Sequence, residues 1–104
     1  MSRQITENAI NAFLAGRNFK QSNTEVKYSK YNCVSVMYLF DNEIAIYNPV
    51  NKVLEITTAG WNTVTTRERL NGLPNVSVTQ RKGQLFLNGQ PWDGELVTID
   101  LEGV

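Results

Sequence analysis

The chain has 104 residues, ten Lys and Arg against ten Asp and Glu, no His, one Cys and three Pro. That length suits one domain, and 41% hydrophobic with 19% charged residues argues against wholesale disorder. Without His there is no Ser-His-Asp or Cys-His relay and no HExxH zinc site, and one Cys allows neither a CxxC knuckle nor an internal disulfide.

Along residues 5–15, Ala9, Ile10, Phe13 and Leu14 fall on one face, which predicts a short helix capped by Thr6 or Ser2 and ended by Gly16. A helix this short is marginal alone in water, so it must pack on something. Residues 17–23 read as a polar connector. Thr24, Val26 and Tyr28 then alternate with Glu25 and Lys27, the pattern of a half-buried strand. Cys33 to Phe40 is the most apolar stretch, and its β-branched and aromatic content favours a central strand. Asp41-Asn42 suits a two-residue turn. Residues 43–47 return with Ile44 and Ile46 on one face, Asn48 to Asn51 turns again, and residues 52–57 set Val53 opposite Leu54 and Ile56. Residues 33–57 therefore predict a three-strand antiparallel meander.

In the second half, Thr65 and Glu68 fit a capping box, with Thr65 as N-cap and Glu68 at the third helical position. Residues 67–71 form the helix body, Gly72 is its left-handed exit, and Pro74 blocks continuation. Residues 75–80 alternate as a strand, Arg81-Lys82-Gly83 is a turn, residues 84–87 are the partner strand, and Asn88-Gly89 is another turn. Residues 91–94 are irregular, and residues 95–100 supply an edge strand. The fold class is α+β: a single domain over residues 1–104 with an antiparallel sheet packed by an N-terminal helix and a short mid-chain helix. An open sheet and a closed barrel both fit the pattern.

The first residues, Met1-Ser-Arg-Gln-Ile-Thr-Glu7, lack the basic and apolar regions of a signal peptide, and no run of apolar residues is long enough to span a bilayer. A cytoplasmic location without membrane contact is expected. Cys33, at the head of an apolar run, is expected to be a buried reduced thiol. The zero net charge hides an asymmetry. Asp93, Glu95, Asp100 and Glu102 lie in the last twelve residues, so residues 1–92 hold ten basic and six acidic groups. That is a modest positive excess and no polybasic arm.

Chemistry concentrates in residues 57–72, where five Thr, one Trp and two Arg sit at a strand-to-helix junction. The candidate binding residues are Trp61, Thr63, Thr65, Thr66, Arg67 and Arg69. The N–H groups of a helix start attract anions, threonine hydroxyls add donors, and the guanidinium groups add charge-assisted contacts. Trp61 could stack on a base or anchor a protein partner. The plain alternative is structural: Thr65 and Glu68 cap the helix, Trp61 fills the core, and the arginines face water. The GxxxxGK[ST] phosphate loop is absent.

A second cluster places Arg17, Lys20, Lys27 and Lys30 around Phe19, Tyr28 and Tyr31. With Arg67, Arg69 and Lys82, this Arg17–Lys30 band could contact nucleic-acid phosphates, or it could be a solvated face over buried aromatics. Asp93 and Glu95 beside Trp92 lack the third positioned ligand that a metal site needs. No catalytic residue, metal site or cofactor is assigned.

The run from Ala59 through Gly60-Trp61-Asn62-Thr63-Val64-Thr65-Thr66-Arg67-Glu68-Arg69-Leu70-Asn71-Gly72 to Leu73, preceded by Phe40 to Ala45, resembles small proteins encoded by tailed bacteriophages. Asn23 to Val26 and Gln84 to Gly89 are weaker matches, and the resemblance spans about residues 20–90. It brings no catalytic residue. It implies a small soluble protein made inside an infected bacterium. The expected function is a non-enzymatic binding protein that engages a host or viral protein through Trp61 to Arg69. Nucleic-acid binding is the alternative, and homo-oligomer formation is left open.

Overall fold

The N-terminal periodicity closes into helix α1 (Ser2–Ala15). The computed structural model describes residues 2–60 and 63–100. Ala9, Ile10, Ala12 and Phe13 are buried along one side of α1. Gly16 ends the helix as expected: its φ is +72°, and Arg17 N–H donates to the Ala12 carbonyl at 2.9 Å, a Schellman-type closure. Thr6 does not cap α1. The helix starts earlier than the apolar spacing implied, and Thr6 lies buried within it.

β1 (Phe19–Gln21), β2 (Thr24–Ser29), β3 (Val34–Leu39), β4 (Asn42–Asn48), β5 (Val53–Ile56) and β9 (Val97–Asp100) form one open sheet in that order, all pairs antiparallel. β1 falls where the sequence reads as connector, because three residues are too few to show an alternation. β2 presents Thr24 and Val26 inward, as its alternation requires. β3, β4 and β5 are the expected meander, and β9 is the expected edge strand, seated beside β5. Cys33 is a free thiol but not a core one. It sits half-buried in the β2–β3 turn with φ +56°, just outside the apolar run it seemed to open.

The β3–β4 hairpin departs from its sequence reading in two linked ways. Leu39 pairs with Asn42, so the turn residues are Phe40 and Asp41, at φ +50° and +66°, rather than Asp41 and Asn42. Met37 pairs with Ala45 and Tyr38 with Glu43, which makes Ile44 an extra, bulged residue. The bulge buries Ile44 and Ala45 together. Ile46 then points to the opposite face, so Ile44 and Ile46 do not share one side.

Helix α2 (Val64–Asn71) begins before the expected capping box. Thr63, not Thr65, is the N-cap: its Oγ1 accepts from Thr66 N–H at 3.2 Å. A smaller sheet follows, with β6 (Val78–Arg81), β7 (Gln84–Leu87) and β8 (Gln90–Trp92) in sequential antiparallel order. Lys82-Gly83 and Asn88-Gly89 are its two turns. Residues 75–77 are not strand. Asn88 holds them by its side chain, accepting from Ser77 N–H at 2.8 Å and donating to the Asn75 carbonyl at 3.0 Å. Asn71 ties α2 to β6 by accepting from Val78 N–H and donating to the Val78 carbonyl.

Side chains from α1, α2, the large sheet and the small sheet join one hydrophobic cluster, with Phe13, Met37, Leu54, Ile56 and Leu70 fully buried. α1 covers β1 to β3 on the core face, and α2 lies between α1 and β6. Gly72 marks their closest approach. Its φ of −78° is ordinary right-handed backbone, so it is not the left-handed exit expected of it. A Cβ there would meet Thr6 Cγ2 at 2.8 Å and Ile10 Cγ1 at 3.0 Å. The position needs glycine for space rather than for φ. Gly72→Ala is accordingly expected to lower stability by about 1–3 kcal/mol through overpacking between the helices, read by urea denaturation.

Candidate binding site around the start of the second helix

The threonines of residues 57–66 are mostly in structural use. Thr57 and Thr58 hydroxyls donate to the Gly94 carbonyl at 2.7 and 3.3 Å, and Thr57 Oγ1 also accepts from Ala59 N–H at 3.1 Å. Thr63 and Thr66 hydroxyls share a hydrogen bond of 3.0 Å. Thr65 is half-buried on the first turn of α2, and Arg67 is half-exposed beside it. Trp61 lies outside the described residues.

Arg69 is the largest departure. It was expected at the surface as a ligand contact, and its side chain is 1% exposed. Its guanidinium is consumed internally: Nη1 reaches Glu68 Oε1 and Thr6 Oγ1, both at 2.6 Å, and Nε donates to Thr24 Oγ1 at 2.9 Å. Nη2 donates to Asn23 Oδ1 at 3.4 Å. One side chain therefore joins α1, α2, β2 and the β1–β2 turn. The physical reason is tertiary: Thr6, Asn23 and Thr24 bring acceptors to the seam between α2 and β2, and these, with Glu68, satisfy the buried guanidinium. The two segments Asn23 to Val26 and Arg67 to Leu70, quoted together for their phage resemblance, meet at this contact.

What is left for a ligand is an apolar depression of about 440 Å³ between the β3–β4 turn, the end of β5 and the start of α2. Leu39, Phe40, Asn42, Ile44, Thr58, Thr63 and Thr66 line it. Phe40, one of these lining residues, is 65% exposed. On the other side of α2, Val64 and Arg67 border a second depression of about 580 Å³ together with Thr6 and Glu68. Of the expected site residues, the structure thus brings Thr63 and Thr66 to the first depression and Arg67 to the second.

A family model described as Kyanoviridae Gp96 protein matches residues 2–102. The chain belongs to that family. Its members are tailed-phage proteins, which bears out the phage resemblance read from residues 59–73. No curated protein and no solved structure matches the chain. The family name carries no activity, substrate or partner.

The phosphate-binding alternative fares unevenly in this phage protein. Arg69 is withdrawn, Arg67 and Lys82 stand on different elements, and Arg17, Lys20, Lys27 and Lys30 are all exposed. Among the aromatics of that band, Tyr31 is fully exposed, whereas Phe19 and Tyr28 are half-buried. A Cβ at Gly16 would lie 3.2 Å from the Tyr28 ring, and desolvation, then Cys33, pushes the Tyr28 phenol above its usual range. Among the described residues no helix is long and apolar enough to cross a membrane, and no cluster of three metal-ligating side chains occurs.

The residue missed by sequence reasoning is Phe40. Placing the turn one position late counted it as the last strand residue. No local signal marks it: both positions of a two-residue hairpin turn take positive φ, which favours Asn, Asp and Gly, so the rule points to Asp41-Asn42 and away from an aromatic residue.

Proposed function

We propose that this phage protein is a non-enzymatic binding module that docks a host or viral protein, in the cytoplasm of the infected bacterium, at the lip formed by Phe40 and the threonines of the α2 start. The observation that carries the reading is Phe40 itself. A bulky side chain is held at φ +50° in a turn and left 65% exposed beside an apolar depression. A left-handed conformation costs a non-glycine residue on the order of 1–2 kcal/mol, and exposure of the ring adds little folding energy in return. Aromatic anchors surrounded by small polar groups are the usual centres of protein recognition, and Thr63 and Asn42 supply a polar surround.

The test exchanges the strain for the preferred residue. Phe40→Asn is expected to raise stability by about 1 kcal/mol, because Asn adopts positive φ readily. The same change is expected to abolish capture of the partner from infected-cell extract in a quantitative pull-down. Equal capture by the wild type and the variant, with the gain in stability present, would remove the reading.

A further inference from the structure

We propose that the open face of the six-stranded sheet is a self-association surface, on which a second copy of the chain packs about a twofold axis running along the strands. The inference is independent of the Phe40 reading and concerns a different surface. Residues directly opposite one another in antiparallel strands share a face. Lys27 pairs with Val36, Val36 with Ile46, and Ile46 with Glu55, so these four form one row across β2, β3, β4 and β5. Val34, Tyr38 and Val53 lie on the same side, and Lys27 Nζ sits 5.4 Å from the Tyr38 ring centroid. Among the described residues, none of the apolar side chains on this side joins the hydrophobic cluster or packs against it. The helices and the small sheet contribute to the core on the other face. The smallest extent of the molecule, 20 Å, has room for the sheet and one layer upon it.

The order of charges in the row says what covers it. Read from β2 to β5, it runs cation, apolar, apolar, anion. Lys27 and Glu55 stand three strands apart, about 14 Å, too far to pair within one chain. Neither has an ion-pair partner among the described residues. Rotation about an axis lying between β3 and β4 and parallel to them reverses the row. Lys27 then meets Glu55 of the second copy, twice, and Val36 meets Ile46 of the second copy between those pairs. The adjacent row sets Tyr38 against Glu43 of the second copy by the same operation. The interface is isologous and closes at two copies. Facing strands stay nearly aligned, the common geometry of stacked sheets. A formal net charge of zero imposes no overall repulsion between copies. The thirty residues of the six strands, at about 3.3 Å rise and about 4.8 Å spacing, present roughly 475 Å² per copy, so the pair covers about 950 Å², the size of a weak, concentration-dependent dimer.

Sedimentation equilibrium of the full chain over a wide concentration range at low salt tests the proposal, with Lys27→Glu, Glu55→Lys and the double exchange as variants. The wild type is expected to dimerise. Each single exchange sets like charges against each other at both ends of the row and is expected to weaken the dimer about tenfold or more. The double exchange restores opposite charges and is expected to recover most of that loss. Circular dichroism establishes that each variant is folded. Should a charge variant fail that check, Ile46→Gln takes its place and is expected to abolish the dimer. A wild type that stays monomeric throughout overturns the proposal, as do single exchanges that leave the dimer intact or a double exchange that recovers nothing.

Discussion

Arg69→Ala is expected to destabilise the protein by about 3–5 kcal/mol, the range for removing one partner from a buried charge network. Global stabilities are about 5–15 kcal/mol, so a large part of the fold's margin rests on this side chain. Arg69 engages Glu68, Thr6, Thr24 and Asn23 at 2.6 to 3.4 Å. Truncation leaves the buried hydroxyls of Thr6 and Thr24 without their charged donor and opens a void where α1, α2 and β2 meet. Arg69→Met fills much of that void but restores no hydrogen bond, so it is also expected to be costly. A midpoint decrease of roughly 12 °C or more should appear in thermal unfolding of Arg69→Ala. Arg67→Ala, at a half-exposed position on the same helix, is expected to shift stability by less than about 1 kcal/mol. If Arg69→Ala behaves like Arg67→Ala, the internal clamp does not exist. The double replacement of Arg67 and Arg69 is therefore no test of ligand contact, although both are candidate surface residues on sequence grounds: any loss of binding would be confounded with the loss of stability.

The same position shows which parts of the fold were legible. Alternation exposed β2 and β5, because a sheet with one core face repeats every second residue, β-branched and aromatic content exposed β3, and glycine chemistry exposed the turns at Lys82-Gly83 and Asn88-Gly89. Tertiary demands were not legible. In the segment from Arg67 to Leu70, a charged residue precedes a leucine on a short helix, and nothing local says that the arginine goes inward. That depends on Thr6 and Asn23-Thr24, more than forty residues away. Gly72 was recognised as special for the wrong reason, since close approach of α1 and an unusual φ both select glycine. The cap slipped from Thr65 to Thr63 because either threonine is followed three residues later by a residue able to complete hydrogen bonding at the helix start, Glu68 or Thr66. Within the candidate site, Thr63, Thr66 and Arg67 were found by composition. Phe40 was not, because an aromatic residue after an apolar run reads as more strand.

Gly94→Ala is the second large effect expected, a loss of about 2–4 kcal/mol. Two costs combine. Gly94 has φ +87°, where a Cβ is sterically opposed by the backbone, at about 1–2 kcal/mol. The Cβ would also lie 2.5 Å from Thr58 Oγ1 and 3.3 Å from Thr58 Cγ2, inside contact distance of a buried residue. Thr58 has little room to withdraw. Its N–H donates to the Gly94 carbonyl at 3.0 Å and its hydroxyl to the same oxygen at 3.3 Å, while Thr57 holds that oxygen at 2.7 Å. This carbonyl joins the end of β5 to the segment leading from β8 in the small sheet to β9 at the edge of the large one. Gly83→Ala separates the two costs: its φ is +82° and a Cβ there would meet nothing within 4 Å, so only the backbone cost of about 1–2 kcal/mol remains. Denaturant titrations should therefore rank Gly94→Ala well below Gly83→Ala, and adding Thr58→Ala should recover part of the difference, since the clash disappears with the Thr58 side chain. Equal losses for the two glycine variants would mean that the β8–β9 segment does not press on β5. Native-state hydrogen exchange would carry the same information locally. Gly94→Ala should deprotect β9 and the end of β5 before the β2–β4 amides, because the segment leading into the edge strand is held to the end of β5 through this oxygen and the sheet centre is not.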